Sequence, residues 1–206
     1  MNSDVELYRG RKLWYHKILL EELSYISILL KEWNIPFWIT AGTLLGAARN
    51  KHIIPWDDDI DVGIFLSDFE RFSNLKSRVI QDGFTLKLSE RISRLFFSEI
   101  KSHPDIPVIK FHVDFFTHRI ENLRVINTYI PRHYIFLSDF QELGKIEFEG
   151  NRYPCPKNYF DYLSRTYGED WKIPHPCKHD ISYIESFDPT NQDILDEIKK
   201  YDLRKK

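Results

Sequence analysis

Four aspartates within five positions, Asp57, Asp58, Asp59 and Asp61, run straight into the apolar segment Ile60 to Phe65. Carboxylates at the mouth of a buried strand leave a chain few ways to fold. Alternate side chains of a strand share a face, so Asp59 and Asp61 must lie together while Ile60 and Val62 enter the core. Adjacent carboxylates repel and raise each other's pKa unless a cation lies between them. Oxygen ligands of this kind suit Mg²⁺ or Mn²⁺. A solvated acidic turn is the ordinary alternative, and the apolar run Ile53 to Trp56 on one side with a strand on the other argues against it. A calcium loop of the EF-hand type shares the one-three-five spacing of Asp57, Asp59 and Asp61. It fails in detail, with Val62 where the turn needs glycine and Asp68 where a glutamate should close the shell.

Around this cluster the pattern is that of a small α+β domain, with a mixed sheet covered by helices. Leu19, Leu23, Ile26, Leu30 and Trp33 recur at helical spacing, which predicts an amphipathic helix over about 11–33, ended by Asn34 and Pro36. Phe37 to Ile39, then Ala41-Gly42, then Leu44 to Arg49 read as strand, tight turn and helix. Ser67 is placed to cap a helix running to about Ile80, and Asp82-Gly83 turns into a strand from Phe84 to Leu88. Further strands are expected at Leu95 to Ile100, Val108 to Phe116, Arg124 to Tyr129, Ile135 and Ile146 to Phe148, with a turn at Glu149-Gly150-Asn151. Tyr159 to Tyr167 should be a helix stopped by Gly168. One domain over 1–188 followed by a polar tail, 189–206, accounts for the 206 residues.

Two further features bear on chemistry. Gly42-Thr43 sits at a helix N-terminus, where free N–H groups can hold a phosphate. Asp114 interrupts an apolar strand, where an unpaired carboxylate would be costly, and it makes sense as a third metal ligand or a general base. His112 shares a strand face with Asp114 and is placed to orient a substrate, although a satisfied structural histidine is the more ordinary reading. His175, Cys177 and His179 near Cys155 match no standard zinc spacing. The aromatic residues Tyr153, Tyr159, Tyr167 and Trp171 read mainly as core, with stacking on a sugar or base as the alternative.

The stretch Ala41-Gly42-Thr43-Leu44-Leu45-Gly46-Ala47-Ala48-Arg49, followed by Ile54-Pro55-Trp56-Asp57-Asp58-Asp59-Ile60-Asp61-Val62, resembles the LicD family. That family includes bacterial phosphocholine transferases, fukutin and fukutin-related protein. Tyr153-Pro154-Cys155-Pro156 through Leu163 and Tyr167-Gly168-Glu169-Asp170-Trp171 are similar to its C-terminal motif. The resemblance implies a nucleotidyltransferase-like fold and transfer of an alcohol phosphate, phosphocholine or ribitol phosphate, from a CDP-linked donor to a carbohydrate hydroxyl with release of CMP. It further implies Asp59, Asp61 and Asp114 as catalytic metal ligands, and Gly42, Thr43 and Arg49 as phosphate-binding residues. Nucleotidyl transfer from an NTP would use the same site, and a catalytically inactive carbohydrate- or partner-binding module is the rival of another class.

Composition narrows the partners. A charge of -2 from 29 basic and 31 acidic residues gives no footprint for nucleic acid. No apolar run approaches the ~20 residues of a membrane span. Two cysteines and no leader pattern lead to an expectation of reduced thiols and a cytoplasmic location.

Overall fold

The computed structural model describes residues 13–54, 57–97 and 112–173. The helical repeat near the N-terminus is realised as α1, Leu13–Glu32. Leu19, Leu23, Ile26 and Leu30 are fully buried along it, and the helix packs across the middle of the sheet. Asn34, left-handed at φ 54, ends it and turns the chain into β1, Phe37–Ile39.

A second helix, α2, Ala41–Asn50, follows directly. It closes on Lys51, whose left-handed backbone donates its N–H to Ala47 O. Next come β2, Asp59–Phe65, and a 3₁₀ turn, Leu66–Asp68. Two short helices, α3, Phe69–Asn74, and α4, Lys76–Gln81, stand where a single helix is expected. The Ser73 hydroxyl donates to Glu70 O, a local bond that competes with helix geometry just before the break at Leu75.

The remaining strands are β3, Phe84–Lys87; β4, Ile92–Phe97; β5, His112–Glu121; β6, Arg124–Asn127; β7, Tyr134–Phe136; β8, Gly144–Phe148; and β9, Asn151–Cys155. Helix α5, Tyr159–Tyr167, ends at Gly168 with φ 94. The expected ends at 98–100 and 108–111, the whole of 174–206, which holds His175, Cys177, His179 and the polar tail, and the N-terminal residues 1–12 lie outside the described residues. None of the helices among the described residues is long and apolar enough to cross a membrane. The Cys155 thiol is free, and burial pushes its pKa up to about 11, which keeps it unreactive.

The main sheet is mixed, in the order β1-β2-β5-β4-β3, with β6 and β7 extending it beyond β5. Its centre is the parallel pair β2 and β5, and the other pairings are antiparallel. One long strand, β5, therefore carries three neighbours. It runs beside β2 over most of its length, beside β4 through its first half and beside β6 through its second.

On β1 and β2, Trp38 and Gly63 are opposite partners. The fully buried indole lies flat in the space a side chain at 63 would take, boxed by Phe65, His118 and Phe140.

The hairpin β8–β9 braces the approach to the aspartates. Its two-residue turn, Glu149 at φ 48 and Gly150 at φ 75, is left-handed at both positions, as the twist of a tight hairpin requires. From that turn Glu149 N donates to Lys51 O and Glu149 Oε1 accepts from Ile53 N, each at 2.8 Å, while Lys51 Nζ reaches Glu147 at 2.8 Å. The segment that leaves α2 turns back so close to it that a Cβ on Gly46 would collide with the His52 carbonyl.

Candidate active site

The turn between β1 and α2 differs in detail from the flexible glycine turn expected there. The left-handed residue is Ala41, at φ 40, an uncommon conformation for a residue with a Cβ and one that concentrates at functional sites. Gly42 serves close approach instead. A Cβ there would lie 2.8 Å from Asp57 Oδ2 and 3.1 Å from Asp61 Oδ2, so the glycine lets two carboxylates converge on the helix start.

Thr43 and Asp61 grip each other. Thr43 N–H donates to Asp61 Oδ2 at 3.2 Å, and Asp61 N–H donates to the Thr43 hydroxyl at 2.8 Å. The backbone of Asp61 is also held by Thr40 N–H at 3.1 Å. Thr40 in turn shares a hydrogen bond of 3.3 Å with the buried Tyr162 hydroxyl of α5.

Parallel pairing of β2 with β5 supplies the rest. The register sets Asp59 beside His112 and Asp61 beside Asp114. Both Asp61 and Asp114 are buried. Burial first, then Asp59, Asp57 and Asp114, raise the Asp61 carboxyl well above its ordinary value, with only the Thr43 N–H opposing. Asp114 Oδ1 receives Arg94 Nε, from β4, at 3.0 Å, and His112 Nε2 lies 3.0 Å from the same oxygen. Burial opposes a charge on His112, but Asp114 and Asp59 outweigh it and hold the imidazole above its ordinary value.

Ligand atoms from Asp59, His112 and Asp114 fall within 4.8 Å of one another, as do those of Asp57, Asp58 and Asp59. A buried carboxyl whose charged form is opposed by its acidic neighbours fits a divalent cation, which would relieve the repulsion the Asp61 carboxyl experiences.

Of the residues expected in the site, Gly42, Thr43, Asp59, Asp61 and Asp114 come together. Arg49 lies in the last turn of α2, about 9 Å along the axis from Thr43. Its Nε donates to Trp171 O at 2.5 Å and its Nη2 to Ile173 O at 3.2 Å, fastening the segment that follows α5. Burial lowers the guanidinium pKa while Tyr167 and Asp170 oppose. Arg49→Ala should therefore lower the melting temperature, with about 1–2 kcal/mol lost for two hydrogen bonds from a charged donor. Thermal denaturation checks this, and an unchanged melting temperature would remove the fastening role.

Sequence reasoning gave Asp57 no separate role, read Tyr167 mainly as core and did not single out Arg94. Asp57 reaches the Gly42 turn beside Asp61, Arg94 pairs with Asp114, and the charges of Asp61 and Asp57 act with burial to raise the Tyr167 hydroxyl pKa while Arg49 opposes. Strand register alone brings Arg94 in, since it pairs directly opposite Asp114.

The LicD/FKTN/FKRP nucleotidyltransferase-domain model matches residues 34–158. The chain is 28% identical over 165 residues to human ribitol-5-phosphate transferase FKTN, covering 78% of this chain and 34% of that protein. It is 29% identical over 195 residues to mouse ribitol 5-phosphate transferase FKRP, covering 83% and 36%. It is 31% identical over 83 residues to lipopolysaccharide cholinephosphotransferase LicD of Haemophilus influenzae, covering 40% and 31%. The chain thus spans about a third of the length of these relatives. Among solved structures, lincomycin-bound lincosamide adenylyltransferase LnuA aligns at a TM-score of 0.44 and 13% identity, over 81% of this chain and 96% of that one.

Proposed function

The chain belongs to the LicD/FKTN/FKRP family of nucleotidyltransferase domains, and from that premise we propose that it transfers an alcohol phosphate from a CDP-linked donor to a carbohydrate hydroxyl. The observation that carries this reading is the register of β2 and β5, which sets Asp61 beside Asp114 and Asp59 beside His112 next to the Gly42-Thr43 turn. The named activities of FKTN, FKRP and LicD, each a phosphate-linked alcohol transfer, support it.

In this reading the acceptor hydroxyl oxygen attacks the phosphorus that carries the alcohol. The bond from that phosphorus to the bridging oxygen breaks, and CMP leaves with the electron pair. The acceptor's proton passes to Asp114, whose carboxylate Arg94 and His112 hold in place. Asp59, Asp61 and Asp114 would hold a Mg²⁺ or Mn²⁺ ion, which supplies charge neutralisation at the donor's phosphoryl oxygens. Gly42 and Thr43 offer the helix start to the donor phosphates. Arg94, half-exposed at the site, adds a planar cation suited to phosphate, while Arg49 secures the 168–173 segment.

Incubation with a panel of CDP-alcohols, a glycan acceptor and Mg²⁺ or Mn²⁺ tests the reaction. CMP release with label on the acceptor is expected. Pyrophosphate release from an NTP would instead establish nucleotidyl transfer, and binding of glycan without turnover would establish a binding module.

Arg94→Ala separates phosphate binding from support. With a side chain half in water, its pair with Asp114 contributes about 0–1 kcal/mol to stability, so the fold should hold. The donor KM should rise roughly tenfold or more, while the divalent ion should bind more tightly for loss of a competing positive charge. Unchanged KM with weaker metal binding would show that Arg94 only props Asp114.

A further inference from the structure

We propose that His112 is a direct metal ligand and that its imidazole selects Mn²⁺, or a later first-row ion, over Mg²⁺. This rests on the reading that the carboxylate cluster holds a divalent cation, and it extends the ligand set to a nitrogen.

The geometry comes from the strand pair. His112 opens β5 directly beside Asp59, and two residues on along the same face stands Asp114. His112 Nε2 is buried, and its contact with Asp114 is an ion pair that falls outside hydrogen-bond geometry. Its close neighbour is Asp114 Oδ1, at 3.0 Å, and an Asp59 oxygen completes a triad within 4.8 Å. An octahedral ion with bonds of about 2.1 Å sets adjacent ligands about 3 Å apart, so the Nε2 to Oδ1 spacing matches one edge of such a shell.

A histidine kept for packing behaves differently in this protein. His118, also on β5, is buried at 3% exposure and satisfies Nδ1 against Phe116 O at 3.0 Å. His112 instead directs a buried nitrogen at carboxylates.

The identity of the donor atom decides the metal. Mg²⁺ is hard, small and held through oxygen, whereas affinity of mixed nitrogen and oxygen sites rises along the first-row series from Mn²⁺ upward. Three carboxylates alone would leave Mg²⁺ and Mn²⁺ more nearly equal, and the imidazole widens the gap.

Chelator-treated full chain, titrated separately with MnCl₂ and MgCl₂ by calorimetry, and Mn²⁺-loaded protein read by electron spin echo for ¹⁴N coupling, test the proposal. Wild type should bind Mn²⁺ at least roughly tenfold tighter than Mg²⁺ and show imidazole ¹⁴N coupling. His112→Asn should lose the coupling, weaken Mn²⁺ on the order of tenfold and leave Mg²⁺ within about twofold. Mn²⁺ bound without ¹⁴N coupling in wild type overturns this proposal while leaving the carboxylate reading intact, and that measurement needs no variant to fold. Binding of neither ion, with or without a CDP-alcohol, overturns both. An unchanged ratio of Mn²⁺ to Mg²⁺ affinity in a folded His112→Asn protein also overturns the proposal.

Discussion

Asp61→Asn should abolish transfer while leaving the metal-free protein as stable as wild type or more so. The buried carboxyl has its pKa raised well above the ordinary value by burial and by Asp59, Asp57 and Asp114. Asparagine removes that charge and keeps an oxygen for the Thr43 N–H. The sign with pH follows from linkage. A raised folded-state pKa means that the penalty is absent below the unfolded value of 3.8, grows as pH rises above it and is full once pH exceeds the folded value. The stability advantage of the variant should therefore be full above the raised pKa and shrink as pH falls from there toward 3.8. Saturating Mg²⁺ or Mn²⁺ reverses the order. An ion at about 100 times its dissociation constant adds roughly 2.7 kcal/mol to wild type, a gain the variant should largely lack. Calorimetry on chelated and metal-loaded samples reads both effects. A variant that melts lower than wild type without metal, with no response to metal in either protein, would make Asp61 a structural residue.

Gly63→Ala should destabilise more than any other single-methyl change on β2. An added Cβ would fall under 3.0 Å from three atoms of the Trp38 indole, Nε1, Cε2 and Cζ2. That ring is fully buried and wedged against Phe65, His118 and Phe140, so it has nowhere to go. Overpacking of this kind costs about 3 kcal/mol, which in a domain of this size lowers the melting temperature by about 6–12 °C. Because β2 carries Asp59 and Asp61, metal affinity should fall with stability. Trp38→Phe, by opening space, should restore part of the stability to Gly63→Ala, and a double mutant no better than the single would show that the ring is not the obstacle.

Much of this architecture is local and therefore readable. The spacing of Leu19, Leu23, Ile26 and Leu30 fixes α1, the left-handed preference of glycine stops α5 at Gly168, and Glu149-Gly150 closes a hairpin. Each depends on residues within a few positions of one another. The split of the expected helix after Ser67 was not readable, since Ser67 lies inside the 3₁₀ turn Leu66–Asp68 and Asp68, not Ser67, stands at the start of α3. The second strand of the hairpin, Asn151–Cys155, was hidden by Pro154, which sits in a two-stranded ribbon where its missing N–H is tolerated.

The chemistry divides along the same line. By itself the sequence determined that Asp59 and Asp61 share a face, because strand periodicity is a property of the backbone. It also carried enough of a motif to point to Asp114 and the family. Tertiary structure alone decided who stands beside them. Parallel pairing brings His112 to Asp59, antiparallel pairing brings Arg94 to Asp114, and the approach of α2 turns Gly42 into the seat of Asp57. It also drew Arg49 to the carbonyls of Trp171 and Ile173, contacts with residues more than a hundred positions away. Register is set by the sum of packing over whole strands, and a one-residue slip would exchange every one of these neighbours.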